Sequence, residues 1–159
     1  MRLLRVNREA IEFALTAPER ALLVQVLGQY PVVPPPHHKL SKTLTEGAVI
    51  EDAHLLDEAL AEQRTSHRRQ LDAWLANPKH IHKTKTGCVL TLPRTDIEWL
   101  LQVLNDVRVG SWLLLGEPEE PLEPDDLDPE LHRVWVAMEL SGMFQMAVLH
   151  ALEIAPPAE

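Results

Sequence analysis

Two stretches in the C-terminal half leave this chain few ways to fold. In the first, only Glu98, Gln102, Asn105, Asp106, Arg108 and Ser111 interrupt an apolar run from Ile97 to Leu115. In the second, the chain from Val134 onward is apolar nearly all round, with Trp135, Met138, Leu140, Met143, Phe144, Met146, Val148 and Leu149. A helix that is hydrophobic on every side must be enclosed by neighbours. The pattern predicts a mostly α fold: a helical bundle of three long helices and one short helix with a small N-terminal β-hairpin, Ile97–Leu115 being the central helix. Two such helices exceed what a small monomer's core needs, so part of their surface is expected in a subunit interface of a homo-oligomer.

The remaining elements are marked by periodicity and by cap and breaker residues. Leu4 and Val6 flank Arg5, and Ile11, Phe13 and Leu15 alternate with Glu12 and Ala14, which is the period-two signature of a half-buried strand. Asn7 to Glu9 is the expected turn. Thr16 and Glu19 have capping-box spacing with Pro18 in the first turn, so a short helix should start there and stop at Gly28. Pro31, Pro34, Pro35 and Pro36 make 30–45 an extended connector. From Ala48 to Ala76, apolar residues and His67 recur at spacings of three, four or seven, a helix of about 43 Å at 1.5 Å per residue. Asn77-Pro78 ends it, 79–87 reads as loop, and Cys88 to Leu92 as a short strand that pairs with the hairpin. Thr95 and Glu98 repeat the capping-box spacing ahead of the central helix. Gly116 is its natural stop, and Gly110 within it is expected to admit a close neighbouring helix. Asp128 and Pro129 open the last helix, which runs to about Ile154.

With 159 residues the chain reads as a single domain, 1–159, containing the Pro-rich connector 30–45 and an acidic loop at 117–128. Cys88 is the only cysteine, so a disulfide scaffold is excluded. No uninterrupted apolar run reaches the ~20 residues that span a bilayer, and no signal-peptide stretch follows Arg2, Arg5 and Arg8, so a cytoplasmic protein with no membrane contact is expected. A formal charge of −9 makes nucleic acid an unlikely partner.

The run from Glu98 through Trp99, Leu100 and Leu101 to Asn105, Asp106, Arg108 and Gly110, together with Glu19-Arg20 near the start of a helix and Trp135 on a final one, carries a resemblance. It is similar to the signature of an uncharacterised bacterial family catalogued as domain of unknown function twenty-seventeen. Members of that family are often encoded near an adaptor of the Clp protease. The resemblance implies a cytosolic helical protein and assigns no activity.

Candidate site residues are few. Leu101, Asn105, Arg108 and Trp112 share one helix face, and Asn105, Asp106 and Arg108 form a polar cluster in the most apolar helix, the expected binding site. A buried Arg108 there requires a partner: a structural ion pair with Glu139 or an acid of the long helix is favoured over a site for a carboxylate or phosphate. His37, His38, His80 and His82 are zinc-ligand types, but their spacing is poor, and a lone Glu51-x-x-His54 lacks its second copy. His67, on the apolar stripe, reads as a satisfied core or interface histidine. Arg64, Arg68, Arg69, Lys79, Lys83 and Lys85 face one acid, Asp72. Such a basic segment suits an acidic partner, a helix dipole or the acidic loop. No G-x-S-x-G, P-loop or G-x-G-x-x-G is present, and Cys88 reads as a small buried strand residue. The expectation is a non-enzymatic oligomeric helical protein in an adaptor or regulatory role, needing no cofactor. The competing class is a metal-dependent enzyme using the histidine-rich loops.

Overall fold

A computed structural model describes residues 1–33 and 48–154, with side chains described from residue 58 onward in the second span. The chain is mostly helical, and its elements run β1 (Arg2–Val6), β2 (Ala10–Leu15), α1 (Ala17–Gly28), α2 (Ala48–Ala76), β3 (Ile81–Lys83), β4 (Cys88–Pro93), α3 (Arg94–Leu114) and α4 (Pro129–Ile154). The strands form one antiparallel sheet in the order β1-β2-β4-β3. Alternation sets its inner face: Ile11, Phe13 and Leu15 lie opposite Leu92, Leu90 and Cys88, and all six are buried. Asn7 shapes the β1–β2 turn, its Oδ1 accepting from the backbone N–H groups of Glu9 (2.9 Å) and Ala10 (2.7 Å). Strand β3 lies within 79–87, where the polar sequence predicts loop. It is three residues long, only Ile81 is half-buried, and exposed His82 and Lys83 make a polar sheet edge with almost no hydrophobic signal.

Helix α1 begins with the expected capping box. Glu19 N–H donates to Thr16 Oγ1 (3.3 Å), and Thr16 N–H donates to Glu19 Oε2 (2.7 Å). Its far end is held by Arg68 of α2, whose Nη1 donates to the carbonyls of Gly28 (2.9 Å) and Tyr30 (2.8 Å). Thr95 does not cap α3. The helix starts one residue earlier, at Arg94, and Pro93 at the N-cap makes no side-chain bond. Thr95 Oγ1 donates instead to Asp96 Oδ1. Arg94 fixes this helix start to the β1–β2 turn, through its backbone N–H to Glu9 O (2.8 Å) and its guanidinium to Asn7 O (3.0 and 3.1 Å). Gly116 ends α3 in the left-handed region (φ +84°), as a glycine after a helix does. Asp128 Oδ1 caps α4, accepting from Glu130 and Leu131 N–H.

The four helices are not a bundle of three long and one short. The antiparallel pair is α3 with α4, packed on the sheet and α1, while α2 enters the core by its last turns, through Leu71 and Trp74. From residue 58 to 70 no α2 side chain is fully buried. Glu58, Glu62, Arg64, Arg68 and Arg69 leave that stretch too few large apolar groups to seat against a neighbour.

The buried faces of α3 and α4 follow a coiled-coil-like spacing, Ile97, Leu100, Leu104, Val107 and Ser111 on α3 and Ala137, Ser141, Phe144, Val148 and Ala151 on α4. Small residues among these let the backbones approach, and they leave the larger apolar side chains of α4 outside the buried face. By length and mean hydropathy, α4 also meets the measure of a membrane-crossing helix, although charged residues interrupt it, and 33% of that window is buried in the molecule.

Candidate functional site

Three residues read together from the sequence separate in space. Asp106 turns toward the chain segment that leaves α1, where its Oδ1 accepts from the backbone N–H groups of Val32 (2.7 Å) and Val33 (3.2 Å). Gly110, one turn further along α3, is the second half of this clasp: a Cβ there would stand 2.6 Å from Val32 Cβ and 2.7 Å from its carbonyl carbon. The close neighbour that Gly110 admits is therefore the non-helical segment that leaves α1 and not a helix. Tyr30 closes the cluster, its hydroxyl 3.5 Å from Nδ1 of His67, which meets Trp99 edge-on. Burial, and then the Asp106 carboxylate, push the Tyr30 hydroxyl above the usual phenol range. Asp106 and His67 thus do structural work.

Asn105 and Arg108 point the other way, to the outer face of the α3–α4 pair. Arg108 is exposed, contrary to the expectation of a buried guanidinium, and among the described residues no carboxylate lies within ion-pair distance of it, Glu139 included. The reason is geometric. Residue 108 falls outside the row formed by Leu104, Val107 and Ser111, so its side chain lies along the surface, with Nε 3.6 Å from the place a Cβ on Gly142 would take. Arg108 and Glu139 line one open groove of about 810 Å³ whose walls are Val109 and Trp112 from α3 and Met138, Met143 and Met146 from α4. Met143 and Met146 are each 65% exposed, and Leu149 (42%), Trp112 (37%) and Val109 (38%) continue the apolar surface. In the sequence these methionines are part of a helix that is apolar nearly all round. The signal that singles them out is their phase relative to the small residues Ala137, Ser141 and Ala151.

The histidines do not converge. His80 is engaged by its surroundings: its ring stacks on Trp74 (4.6 Å between centroids), its Nδ1 lies 3.0 Å from Trp74 O, and its Nε2 is 3.9 Å from an Asp96 oxygen that also accepts from Trp74 Nε1. His82 is exposed on β3, His37 and His38 lie outside the described residues, and so does the side chain of His54. Among the described residues no group of three or more His, Cys, Asp or Glu side chains is placed to hold a metal ion. Cys88 is buried in β4. In the basic segment, Arg68 serves as the helix cap already described. The acidic loop is held by its own helices, Trp112 Nε1 reaching Pro118 O (3.2 Å) and His132 Nδ1 reaching Pro124 O (3.2 Å). No protein-family model matches the chain, and neither a curated protein nor a solved structure is detectably similar to it.

Proposed function

We propose that this chain is a non-enzymatic helical protein that acts through protein contacts, self-associating by the outer face of α3 and α4 in an adaptor or regulatory role. The observation that carries the reading is the groove itself: thioethers, an indole and branched side chains stand in water along adjacent helices, and among the described residues that line it Arg108 and Glu139 alone are charged. Contiguous apolar surface of this kind marks interaction sites, and methionine, unbranched and polarisable, is suited to line them. The resemblance of 98–110 to an uncharacterised family of cytosolic helical proteins encoded near a protease adaptor is in keeping with a contact role in the cytoplasm.

Light scattering after size exclusion, at several concentrations, tests this. A dimer or larger species that becomes monomeric on Met143→Asp with Met146→Asp is the expected result. A parent chain that is monomeric at every concentration overturns the proposal, as does co-flotation of the parent with lipid vesicles that the double variant abolishes.

A further inference from the structure

We infer that the occupant of the groove is a second copy of this chain, bound about a two-fold axis that crosses α4 at Gly142 with the two α4 helices antiparallel. This rests on the self-association reading and adds its geometry. Arg108 and Glu139 line the same groove, and among the described residues neither is in an ion pair. A surface with one unpaired cation and one unpaired anion complements itself under a two-fold operation, which sets each Arg108 against the other copy's Glu139. Arg108 lies beside Gly142, and Glu139 is three residues away, about 4.5 Å along the axis of α4, within a guanidinium's reach across the axis.

Gly142 is at the middle of the 26-residue α4, and the Arg108 side chain lies against it, so the cation stands near the centre of this face with Met138 and Met146 one turn to either side. The acidic loop sets the direction of the two helices: eight acids and no base lie between Glu117 and Glu130, in a chain of net charge −9. Antiparallel helices place the two Asp128 caps about 42 Å apart, several Debye lengths in physiological salt, whereas parallel helices would set the loops side by side.

Cysteine cross-linking reads the axis directly. Only a residue on a two-fold axis meets its own copy, and a Cβ at 142 has ordinary space. Gly142→Cys should form a disulfide-linked dimer under mild oxidation. Leu149→Cys, on the same face but seven residues from the axis, should not, because its copies would be about 21 Å apart. Cross-linking of both variants signifies parallel helices and overturns the geometry. Charge reversal gives an independent reading. Arg108→Glu and Glu139→Arg should each weaken the dimer roughly tenfold or more. An equimolar mixture of the two, and the double variant, should recover parental affinity. Single reversals without effect, in a dimer that Met143→Asp still disrupts, would refute this arrangement and leave the contact reading standing. A monomeric parent would remove both.

Discussion

Replacing Gly110 by alanine pits two opposed effects against each other, and the structure says which is larger. In an exposed helix interior, Gly→Ala stabilises by about 1 kcal/mol. At position 110 the added methyl would stand 2.6 Å from Val32 Cβ and Cγ1 and 2.7 Å from its backbone carbon. Carbon atoms rest about 3.5–4.0 Å apart, so the overlap is about 1 Å, and part of it falls on backbone that no rotamer change can move. The segment must lift. A lift of about 1 Å carries Val32 N–H and Val33 N–H beyond hydrogen-bonding range of Asp106 Oδ1. Two bonds to a half-exposed carboxylate contribute about 1–1.5 kcal/mol each, and overpacking adds about 1–3 kcal/mol where the segment resists. Set against the propensity gain of about 1 kcal/mol, the net is a loss of about 1–5 kcal/mol, each kcal/mol lowering Tm by about 2–4 °C in a domain of this size.

Thermal melts and urea midpoints with an unchanged m-value measure it. Gly28→Ala is the control, since nothing lies within 4 Å of a Cβ there, and it should be neutral or stabilising by up to about 1 kcal/mol. Adding Asp106→Asn to Gly110→Ala should cost little more than Gly110→Ala alone, because both act on one segment. A Gly110→Ala protein as stable as the parent would refute the apposition of Val32 and α3.

Tyr30 is the only tyrosine, so ultraviolet titration reads it without ambiguity. Its ionisation should fall above the usual phenol value of about 10, and Asp106→Asn should lower it while burial keeps it raised. Because the folded value is raised, the stability linked to this group is complete below the ordinary phenol range and is lost as pH rises through the raised value. A Tyr30 titration that Asp106→Asn leaves unmoved contradicts the clasp. At the acid end, the Met1 ammonium and then the Thr16 backbone N–H hold Glu19 below the usual carboxylate range. Its contribution is present above the ordinary glutamate value of about 4.3 and disappears as pH falls through the lowered folded value. Glu19→Gln should therefore unfold at lower urea than the parent at neutral pH, with the gap closing on acidification. A gap independent of pH counts against that pairing.

Much of the architecture is local chemistry and was legible as such. The alternation in 11–15, the Thr16–Glu19 box, Asp128-Pro129 and Gly116 fix backbone conformation within a turn of themselves, so a hairpin, a strand at Cys88 and the helix ends follow from neighbours in the chain. A local signal fails where a distant group competes for the same atoms. Thr95 has cap spacing, but Pro93 and the bonds from Arg94 to Asn7 and Glu9 start the helix before it. Strand β3 has nothing in its three residues to announce it beyond the edge that β4 offers.

The candidate site shows the same division. Hydrophobic content alone states that the last two helices need cover, and spacing puts Asn105, Arg108 and Trp112 on one face. Which side of each helix obtains cover inside the molecule is decided only when α3 and α4 meet. The side of α4 that carries Ala137, Ser141 and Ala151 is buried, while Met143, Met146, Arg108 and Glu139 are turned to water. Periodicity counts apolar positions but carries no information about which of them a partner helix will choose. That choice depends on the fit of two surfaces far apart in the chain, and tertiary packing alone supplies it.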